Sequence, residues 1–136
     1  MTAVSRTITL RSTTRRQLID ITAQAIKFVE DSNITEGILT VSVPHATAAI
    51  ISNENEKGLL KDIEAKIEEL FPQSSAYSHN EIDNNADAHL AAAFLGHSRS
   101  FPVQARQLIR GTWQNIFLLE LDGPRSRRNV NLNIVG

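Results

Sequence analysis

The chain has no cysteine, and only 5% of its 136 residues are aromatic. Without cysteine it can form neither disulfide bonds nor thiolate metal sites, which fits a reducing compartment, and we expect a cytoplasmic protein. Each aromatic side chain buries a large area, so their scarcity limits the apolar surface that one chain can cover alone. The composition therefore favours oligomerisation as a further way of burying surface.

Long apolar runs and an excess of one charge are also missing. The apolar runs are short, such as residues 116–119, whereas a helix that spans a bilayer needs about 20 apolar residues. The opening segment MTAVSRTITLRS lacks the apolar stretch of a secretory signal. A formal net charge of −1 argues against bulk electrostatic binding to nucleic acid or an acidic membrane. We therefore expect one soluble domain over residues 1–136, with neither nucleic acid nor a membrane as partner.

Hydrophobic periodicity predicts an α+β fold. Helical spacing is found over residues 23–31, 59–71 and 86–95. Alternating patterns predict strands at residues 4–10, 17–21, 37–44, 47–51, 100–103, 107–110, 115–121 and 129–135. The first two strands are expected to form a hairpin across the polar segment RSTTRR. Strands grouped around two to three helices indicate mixed or antiparallel β-sheets.

Three histidines lie in polar motifs in the middle of the chain. His45 is in PHATAAIISNENE, His79 is in YSHNEIDN, and His89 is in NADAHLAAAFLG. Imidazole together with carboxylate and carboxamide side chains is typical of a metal site or of a general acid–base site. The spacing is not a tight metal signature such as HExxH, so both kinds of site stay open. For each histidine taken alone, a structural role is the alternative.

Carboxylates and carboxamides recur at sequence spacings that could bring them close to these histidines. Glu54 follows His45 by nine residues, and we expect the loops on either side of strand 47–51 to share an edge of the sheet. Asp83 lies four residues after His79, and Asn85 lies four residues before His89 at the start of the third predicted helix. A helix N-terminus attracts anions. The alternative is that Asp83 or Asn85 only caps this helix.

Two further motifs lie near the C-terminus. DGPRSRRN forms a turn followed by Arg125, Arg127 and Arg128, whose guanidinium groups suit phosphate or carboxylate. The alternative is a solvated turn whose charges protect a strand edge. Trp113, the only tryptophan, follows closely on Gly111, which indicates a bulge or a close backbone approach. Such a tryptophan is more often part of a core or an interface than of a ligand platform.

Taken in order, three blocks of the chain resemble the YjbQ-like proteins. The blocks are HATAAIISNENE, SHNEIDNNADAHLAAAFLG and GTWQNIFLLELDGPR, and the similarity covers nearly the whole chain. The resemblance implies an α+β fold that assembles as a homotrimer through its sheets. It also implies a histidine-lined cleft near the subunit contacts that holds a divalent metal. Members of this family are often labelled secondary thiamine-phosphate synthases because some show weak activity of that kind.

The resemblance assigns roles residue by residue. It implies metal ligands at His45, His79 and His89, and catalytic carboxylates at Glu54 and Asp83. Substrate- or anion-binding roles fall on Thr47, Asn85, Gln114 and Arg125. The chain departs from the family at Ala46, where threonine is common, and at Asn84, where glycine or aspartate is common. Neither departure removes an expected ligand.

The resemblance and the residues together leave two classes of function open. A thiamine-phosphate synthase joins an aminopyrimidine diphosphate to a thiazole phosphate and releases pyrophosphate, with a divalent cation on the diphosphate. Three histidines suit Zn²⁺ or another transition metal better than Mg²⁺, which prefers carboxylates. A metal-dependent hydrolase of a small phosphorylated compound therefore fits equally well. The second class is a non-enzymatic trimer that binds a metal or a small anion.

Overall fold

The computed structural model describes all 136 residues, which form eight β-strands, three α-helices and one 3-10 turn. The elements are β1 (Ala3–Leu10), β2 (Gln17–Asp20), α1 (Thr22–Ser32), β3 (Gly37–Ser42), β4 (Ala48–Asn53), α2 (Lys57–Leu70), the 3-10 turn (Ser78–Glu81), α3 (Ala86–Leu95), β5 (Ser98–Gln104), β6 (Gln107–Leu108), β7 (Asn115–Glu120) and β8 (Arg128–Val135). The predicted α+β class is confirmed. None of the helices has the length and apolar character that crossing a bilayer requires.

The strands form two antiparallel sheets. One sheet has five strands in the order β1-β8-β3-β5-β6, and the other has three in the order β2-β7-β4. The predicted hairpin of the first two strands is wrong, because β1 pairs with β8 whereas β2 pairs with β7. Residues 11–16 instead cross from one sheet to the other. The reason is long-range: backbone hydrogen bonds tie Ser12 to Arg125 and Arg15 to Gly123 on the turn before β8.

Two apolar cores separate the layers. The larger core lies between the two sheets and includes Phe28 of α1, with Leu39, Leu132 and Leu118 from the facing strands. The smaller core lies on the other side of the three-stranded sheet, where α2 and α3 pack. The three-stranded sheet is therefore covered on both faces, and β7 is buried from Ile116 to Glu120.

The two helices of the smaller core differ in how they pack. α2 is amphipathic, begins at a cap made by the Glu56 carboxylate on the Leu59 N–H at 3.0 Å, and buries Ile67. α3 is rich in alanine and buries Ala88 and Ala91 against the sheet. Because alanine is small, α3 can approach β4 closely. This close approach brings the polar N-terminal half of α3 to the loop before β4.

The outer face of the five-stranded sheet has no charged side chain on its central strands. Its outward residues are Ser5, Thr7 and Thr9 of β1, Asn129, Asn131 and Asn133 of β8, Ile38, Thr40 and Ser42 of β3, and Ser98, Ser100 and Pro102 of β5. We call this surface the outer sheet face. Side-chain hydrogen bonds link its rows, such as Thr7 to Asn131 at 3.0 Å.

Candidate functional site

Two adjoining hollows lie beside the N-terminal half of α3. The first, of about 410 Å³, is lined by Tyr77, Ser78, His79, Ala86, His89 and Leu90. The second, of about 300 Å³, is lined by His45, Ala46, His89, Ala92, Ala93 and His97. His89 belongs to both. The fold therefore gathers all four histidines of the chain around two neighbouring hollows.

A chain of hydrogen bonds orients His79. Its Nε2 lies 3.0 Å from Asn85 Oδ1, and Asn85 Nδ2 donates to Asp122 Oδ2 at 2.9 Å. An ionised carboxylate only accepts hydrogen bonds, so the amide nitrogen of Asn85 must face Asp122 and its oxygen must face His79. His79 therefore donates through Nε2–H, and in the neutral ring the lone pair lies on Nδ1. That nitrogen is available as a proton acceptor or a metal ligand.

His89, in α3, lies beside His79, which belongs to the 3-10 turn that precedes this helix. The two rings meet edge to face with 4.8 Å between their centroids. The backbone N–H of His89 donates to the Asn85 carbonyl at 3.2 Å, which is the first hydrogen bond of α3 at this residue. Asn85 and His89 are therefore one helical turn apart at the start of α3. Asn85 acts here through its side chain on His79 and makes no side-chain cap of α3.

Asp122 is held from two sides. Arg125 Nη2 donates to Asp122 Oδ2 at 2.9 Å, and Arg125 Nε donates to the Asp122 carbonyl at 2.9 Å. Arg15 Nη2 lies 3.8 Å from Asp122 Oδ1. Gly123 makes this arrangement compact, because a Cβ there would lie 2.8 Å from Ser12 Oγ on the crossing segment. The turn that carries Asp122 is thus packed directly against residues 11–16.

A buried carboxylate anchors α3 to that same segment. Asp87 is 0% exposed and accepts from Arg15 Nη2 at 2.9 Å and from Arg16 Nη2 at 2.7 Å. Arg16 also pairs with Glu68 of α2. These ion pairs hold α2, α3 and the crossing segment together. Since His89 is two residues beyond Asp87, the network also sets the position of the imidazole.

His45 occupies the second hollow as a neutral hydrogen-bonded ring. The Asn129 backbone N–H donates to His45 Nε2 at 2.9 Å, so that nitrogen holds a lone pair and Nδ1 carries the hydrogen. Burial lowers the pKa of His45, and the positive charge of Arg128 lowers it further against the opposing effect of Glu120. In this arrangement His45 offers an N–H donor to the hollow.

Beneath His45 lies a buried ion pair. Arg128 Nη2 donates to Glu120 Oε2 at 2.5 Å and to Thr47 Oγ1 at 2.9 Å, and Ser12 Oγ donates to Glu120 Oε1 at 2.6 Å. Burial raises the pKa of Glu120, but the hydrogen bonds from Arg128 and Ser12 outweigh it, and the net pKa lies below its usual value. The Thr47 hydroxyl, predicted to bind an anion, is a partner of Arg128. That ligand role stays a prediction.

Two predicted site residues, Glu54 and Gln114, lie apart from the histidines. His45 precedes β4 and Glu54 follows it, so they lie at opposite ends of a six-residue strand, about 17 Å apart along the chain direction. The expected shared edge is therefore wrong, since alternation along a strand says nothing about bringing its ends together. Gln114 precedes β7 at the Glu54 end, and its Oε1 accepts from the Gly111 N–H at 3.0 Å. Asp83 stays beside His79, whose carbonyl accepts from the Asp83 backbone N–H at 3.1 Å, but its carboxylate is exposed and accepts from the Asn84 N–H.

The histidines of one chain do not form a complete metal site. No group of three or more His, Asp or Glu side chains is arranged to hold a metal ion. His79 and His89 are adjacent, but His45 has its Nε2 lone pair engaged by Asn129. A catalytic zinc has three protein ligands. A metal ion here would need a rearrangement of the histidines or further ligands. The metal and its ligands His45, His79 and His89 therefore stay a prediction.

Two site residues were not anticipated from the sequence. His97 lines the second hollow with His89 and Ala93, and the four-residue spacing of these three positions was the available signal. Asp122 was seen only as part of a turn. Its contact with Asn85 joins residues 37 positions apart, and no local pattern indicates such a pairing.

Comparison with known proteins shows which family the chain belongs to. The model of the YjbQ-like UPF0047 proteins matches residues 6–136. The chain belongs to the YjbQ-like family. The resemblance carried by the three sequence blocks is thereby confirmed.

The YjbQ-like relatives match over almost their full length. A UPF0047 protein of Methanothermobacter thermautotrophicus is 46% identical over 136 residues, covering 100% of this chain and 94% of the relative. The UPF0047 protein YugU of Bacillus subtilis is 34% identical, covering 90% of this chain and 92% of its own. Among solved structures, a YbjQ-like protein of unknown function from Sulfolobus solfataricus superposes with a TM-score of 0.98 at 49% identity, covering 99% of this chain and 98% of that one. A hypothetical protein from Aeropyrum pernix superposes with a TM-score of 0.94 at 39% identity, covering 98% of each chain.

Proposed function

We propose that this YjbQ-like protein is a cytoplasmic small-molecule enzyme that acts on a phosphorylated compound at the two histidine-lined hollows. The observation that carries the proposal is the chain His79–Asn85–Asp122, with distances of 3.0 and 2.9 Å. It selects one tautomer of His79 and leaves Nδ1 able to accept a proton. An imidazole oriented by a carboxamide oxygen in this way is suited to general acid–base catalysis.

The surrounding charges suit a phosphorylated substrate. Arg125 is half exposed and is bound on one side to Asp122, and Arg127 next to it has no protein partner. A phosphate group that approaches the turn can therefore bind guanidinium donors without breaking a buried ion pair. His45 adds a neutral N–H donor in the second hollow. We propose Arg125 as the phosphate-binding residue and His79 as the proton acceptor.

A proton acceptor at this position favours hydrolysis over group transfer. In hydrolysis, water loses a proton as it attacks, and His79 Nδ1 would receive that proton. In the thiamine-phosphate synthase reaction, the attacking thiazole nitrogen carries no proton to lose. The synthase remains the second candidate, supported by the arginines that could bind a departing pyrophosphate. The divalent metal is not needed for the role proposed for His79.

A kinetic comparison of two neighbouring asparagines tests this proposal. Release of inorganic phosphate from a panel of small phosphorylated compounds, and formation of thiamine phosphate, are measured for the wild type. His79→Ala should lower kcat by about 10²-fold or more, the size of a general acid–base contribution. Asn85→Ala should also lower kcat, because the ring loses its orienting acceptor. The matched control is Asn84→Ala, an exposed neighbour whose side chain makes no hydrogen bond.

The same assay decides the roles of the carboxylates. If Asp83→Asn abolishes turnover while His79→Ala does not, the catalytic role belongs to Asp83 as predicted from the sequence. Glu54→Gln tests the other predicted carboxylate. Turnover that is unchanged in His79→Ala with an intact fold contradicts the proposal.

A binding protein without turnover is the alternative, and one observation favours it. The three carboxylates buried or half-buried around the hollows are already engaged: Asp87 by Arg15 and Arg16, Asp122 by Arg125, and Glu120 by Arg128. None of these three is free to serve as a second acid or base. Under this alternative a small anion or a metal binds and dissociates unchanged, and no compound of the panel is turned over.

We further propose that the chain forms the predicted homotrimer through the outer sheet face. Its support is the uncharged composition of that face, since the centre of a protein interface is depleted of charged residues. Placing a charge there should disrupt assembly. Asn131→Lys should therefore lower the sedimenting mass from a trimer towards a monomer, whereas Asn84→Lys, at an exposed asparagine outside this face, should not. A wild-type monomer, or a trimer unaffected by Asn131→Lys, contradicts this assignment.

A further inference from the structure

A third hollow lies at the opposite end of β7 from the histidines. It has a volume of about 350 Å³ and lies between α1 and the connection from β6 to β7. Its lining is Ile26, Glu30, Arg106, Gln107, Leu108, Arg110, Gly111 and Thr112. Asn115 opens β7 at this end and Asp122 follows its other end, seven residue steps or about 23 Å away. This arginine hollow is thus separate from the site proposed above.

Arg110 reaches the hollow with its binding edge free. Its Nη1 donates to the Gln114 carbonyl at 3.1 Å and makes longer contacts of 3.4 Å with Gly111 O and Asn115 Oδ1. No carboxylate forms an ion pair with it, and its Nε and Nη2 have no hydrogen-bond partner in the protein. These two atoms form the side-on edge with which arginine binds carboxylate or phosphate bidentately. Carbonyl oxygens thus hold the Arg110 guanidinium group in place while leaving its positive charge uncompensated.

Arg106 supplies a second uncompensated charge, and its backbone has an unfavourable conformation. The turn between β5 and β6 has positive φ at both central residues, 50° at Ala105 and 63° at Arg106. Turns of this kind favour Asn-Gly, and Ala-Arg is costly there. Arg106 Nη2 donates to Asn33 Oδ1 at 2.7 Å and to Glu30 O at 3.3 Å, so its guanidinium is held at the end of α1. Arg106 has no carboxylate partner, and its Nε and Nη1 have no hydrogen-bond partner.

We propose that the arginine hollow binds the phosphate or carboxylate group of a small anion. Arg110 makes the bidentate contact through Nε and Nη2, and Arg106 contributes the second positive charge. The Glu30 side chain also lines the hollow and is without an ion-pair partner, so its negative charge opposes an anion. The hollow therefore favours an anion of low charge over a polyanion. This proposal rests on residues that the histidine site does not use and is independent of it.

The test is a titration of the full-length protein with sodium phosphate at constant ionic strength, followed by ¹H–¹⁵N NMR. Shifts should be largest for the backbone N–H groups of residues 106–112 and for the indole N–H of Trp113, which follows the lining residue Thr112 and is 71% exposed. Arg110→Gln should weaken phosphate binding about tenfold or more, because a bidentate charged contact is lost. Glu30→Gln should tighten it, because a repelling charge is removed.

Two controls make the outcome decisive. Arg11→Gln removes an exposed arginine that has no hydrogen bond or ion pair and lies outside the hollow, and it should leave the affinity unchanged. Ala105→Asn relaxes the turn without altering either guanidinium and should also bind phosphate normally. Equal binding by wild type and Arg110→Gln overturns the proposal. Phosphate that fails to bind the wild type also overturns it, and a sedimenting mass changed by Arg110→Gln would then show that a second copy of the chain covers the hollow.

Discussion

The two ends of β7 carry arginines in opposite electrostatic situations. At the histidine end, Arg128 is paired with Glu120 in the core, and Arg125 is paired with Asp122. At the other end, Arg106 and Arg110 are fixed by carbonyl and amide oxygens and have no carboxylate partner. Arg125 and Arg128 are thus neutralised within the protein, with only the exposed Arg127 unpaired at their end, whereas both arginines of the other end keep a charge open to a ligand.

The difference indicates what each end can do. Where the strong charges are paired, the groups left for chemistry are imidazoles, the side chains that most often serve as general acids and bases. Where guanidinium charges are unpaired, the protein keeps a standing positive field that no proton transfer can switch off, because arginine does not deprotonate. The histidine end is therefore suited to acid–base work and the arginine end to holding an anion.

The strongest test of this difference removes one charge at each end of β7. Glu120→Gln leaves the Arg128 guanidinium buried without a counter-charge and should lower the free energy of unfolding by about 3–5 kcal/mol. Arg110→Gln removes a charge that nothing in the protein compensates and should cost about 1 kcal/mol or less. Urea unfolding followed by circular dichroism measures both. Similar losses for the two variants would show that the charges at the two ends are not differently compensated.

A double variant separates the ion pair from simple packing. Glu120→Gln/Arg128→Met leaves no unpaired charge in the core and should regain part of the stability lost in Glu120→Gln. If the double variant is less stable than Glu120→Gln, the loss comes from packing at these positions rather than from an orphaned guanidinium.

The local elements of the fold were largely predictable, whereas their partners were not. The apolar stripe of α2 and the alanines of α3 specify helices that the structure contains at nearly the predicted bounds. Periodicity carries no information on which sheet a strand joins, and β1 and β2 therefore appeared to be a hairpin. Their separation depends on contacts between residues 11–16 and the turn at Gly123, more than 100 positions later in the chain.

The candidate site was predictable to a similar extent. Helical spacing placed Asn85 beside His89, and the structure adds His79 through a hydrogen bond between side chains six residues apart. Glu54 could not be placed, because its distance from His45 depends on the length of β4 between them. Asp122 gained its role only from packing, whereas the spacing of His97 from Ala93 and His89 was a signal that went unused. Sequence reasoning thus found three of the four imidazoles but not the carboxylate that orients one of them.

The smallest effect we predict is the pH dependence of stability. It distinguishes the contribution of His45 from that of the buried ion pair beneath it. The pKa of His45 is lowered by burial and by Arg128, so the unfolded chain takes up a proton at this residue before the folded one does. The fold should therefore lose stability as the pH falls from about 6.5, the ordinary histidine value, towards the lower pKa of the folded state. His45→Gln should remove this part of the profile.

The buried ion pair beneath His45 acts at lower pH. The pKa of Glu120 is also lowered, so its contribution is fully present above the ordinary carboxyl value and is lost as the pH falls through the folded-state pKa. Asp20 and Asp31, whose pKa values are lowered as well, contribute in the same acidic range. The profile measured by urea unfolding should then have two steps, the upper one absent in His45→Gln and the lower one reduced in Glu120→Gln. The arginine end should contribute neither step, so Arg110→Gln should follow the wild-type profile with a small constant offset; a change of shape in that variant would mean that Arg110 is coupled to a titrating carboxylate.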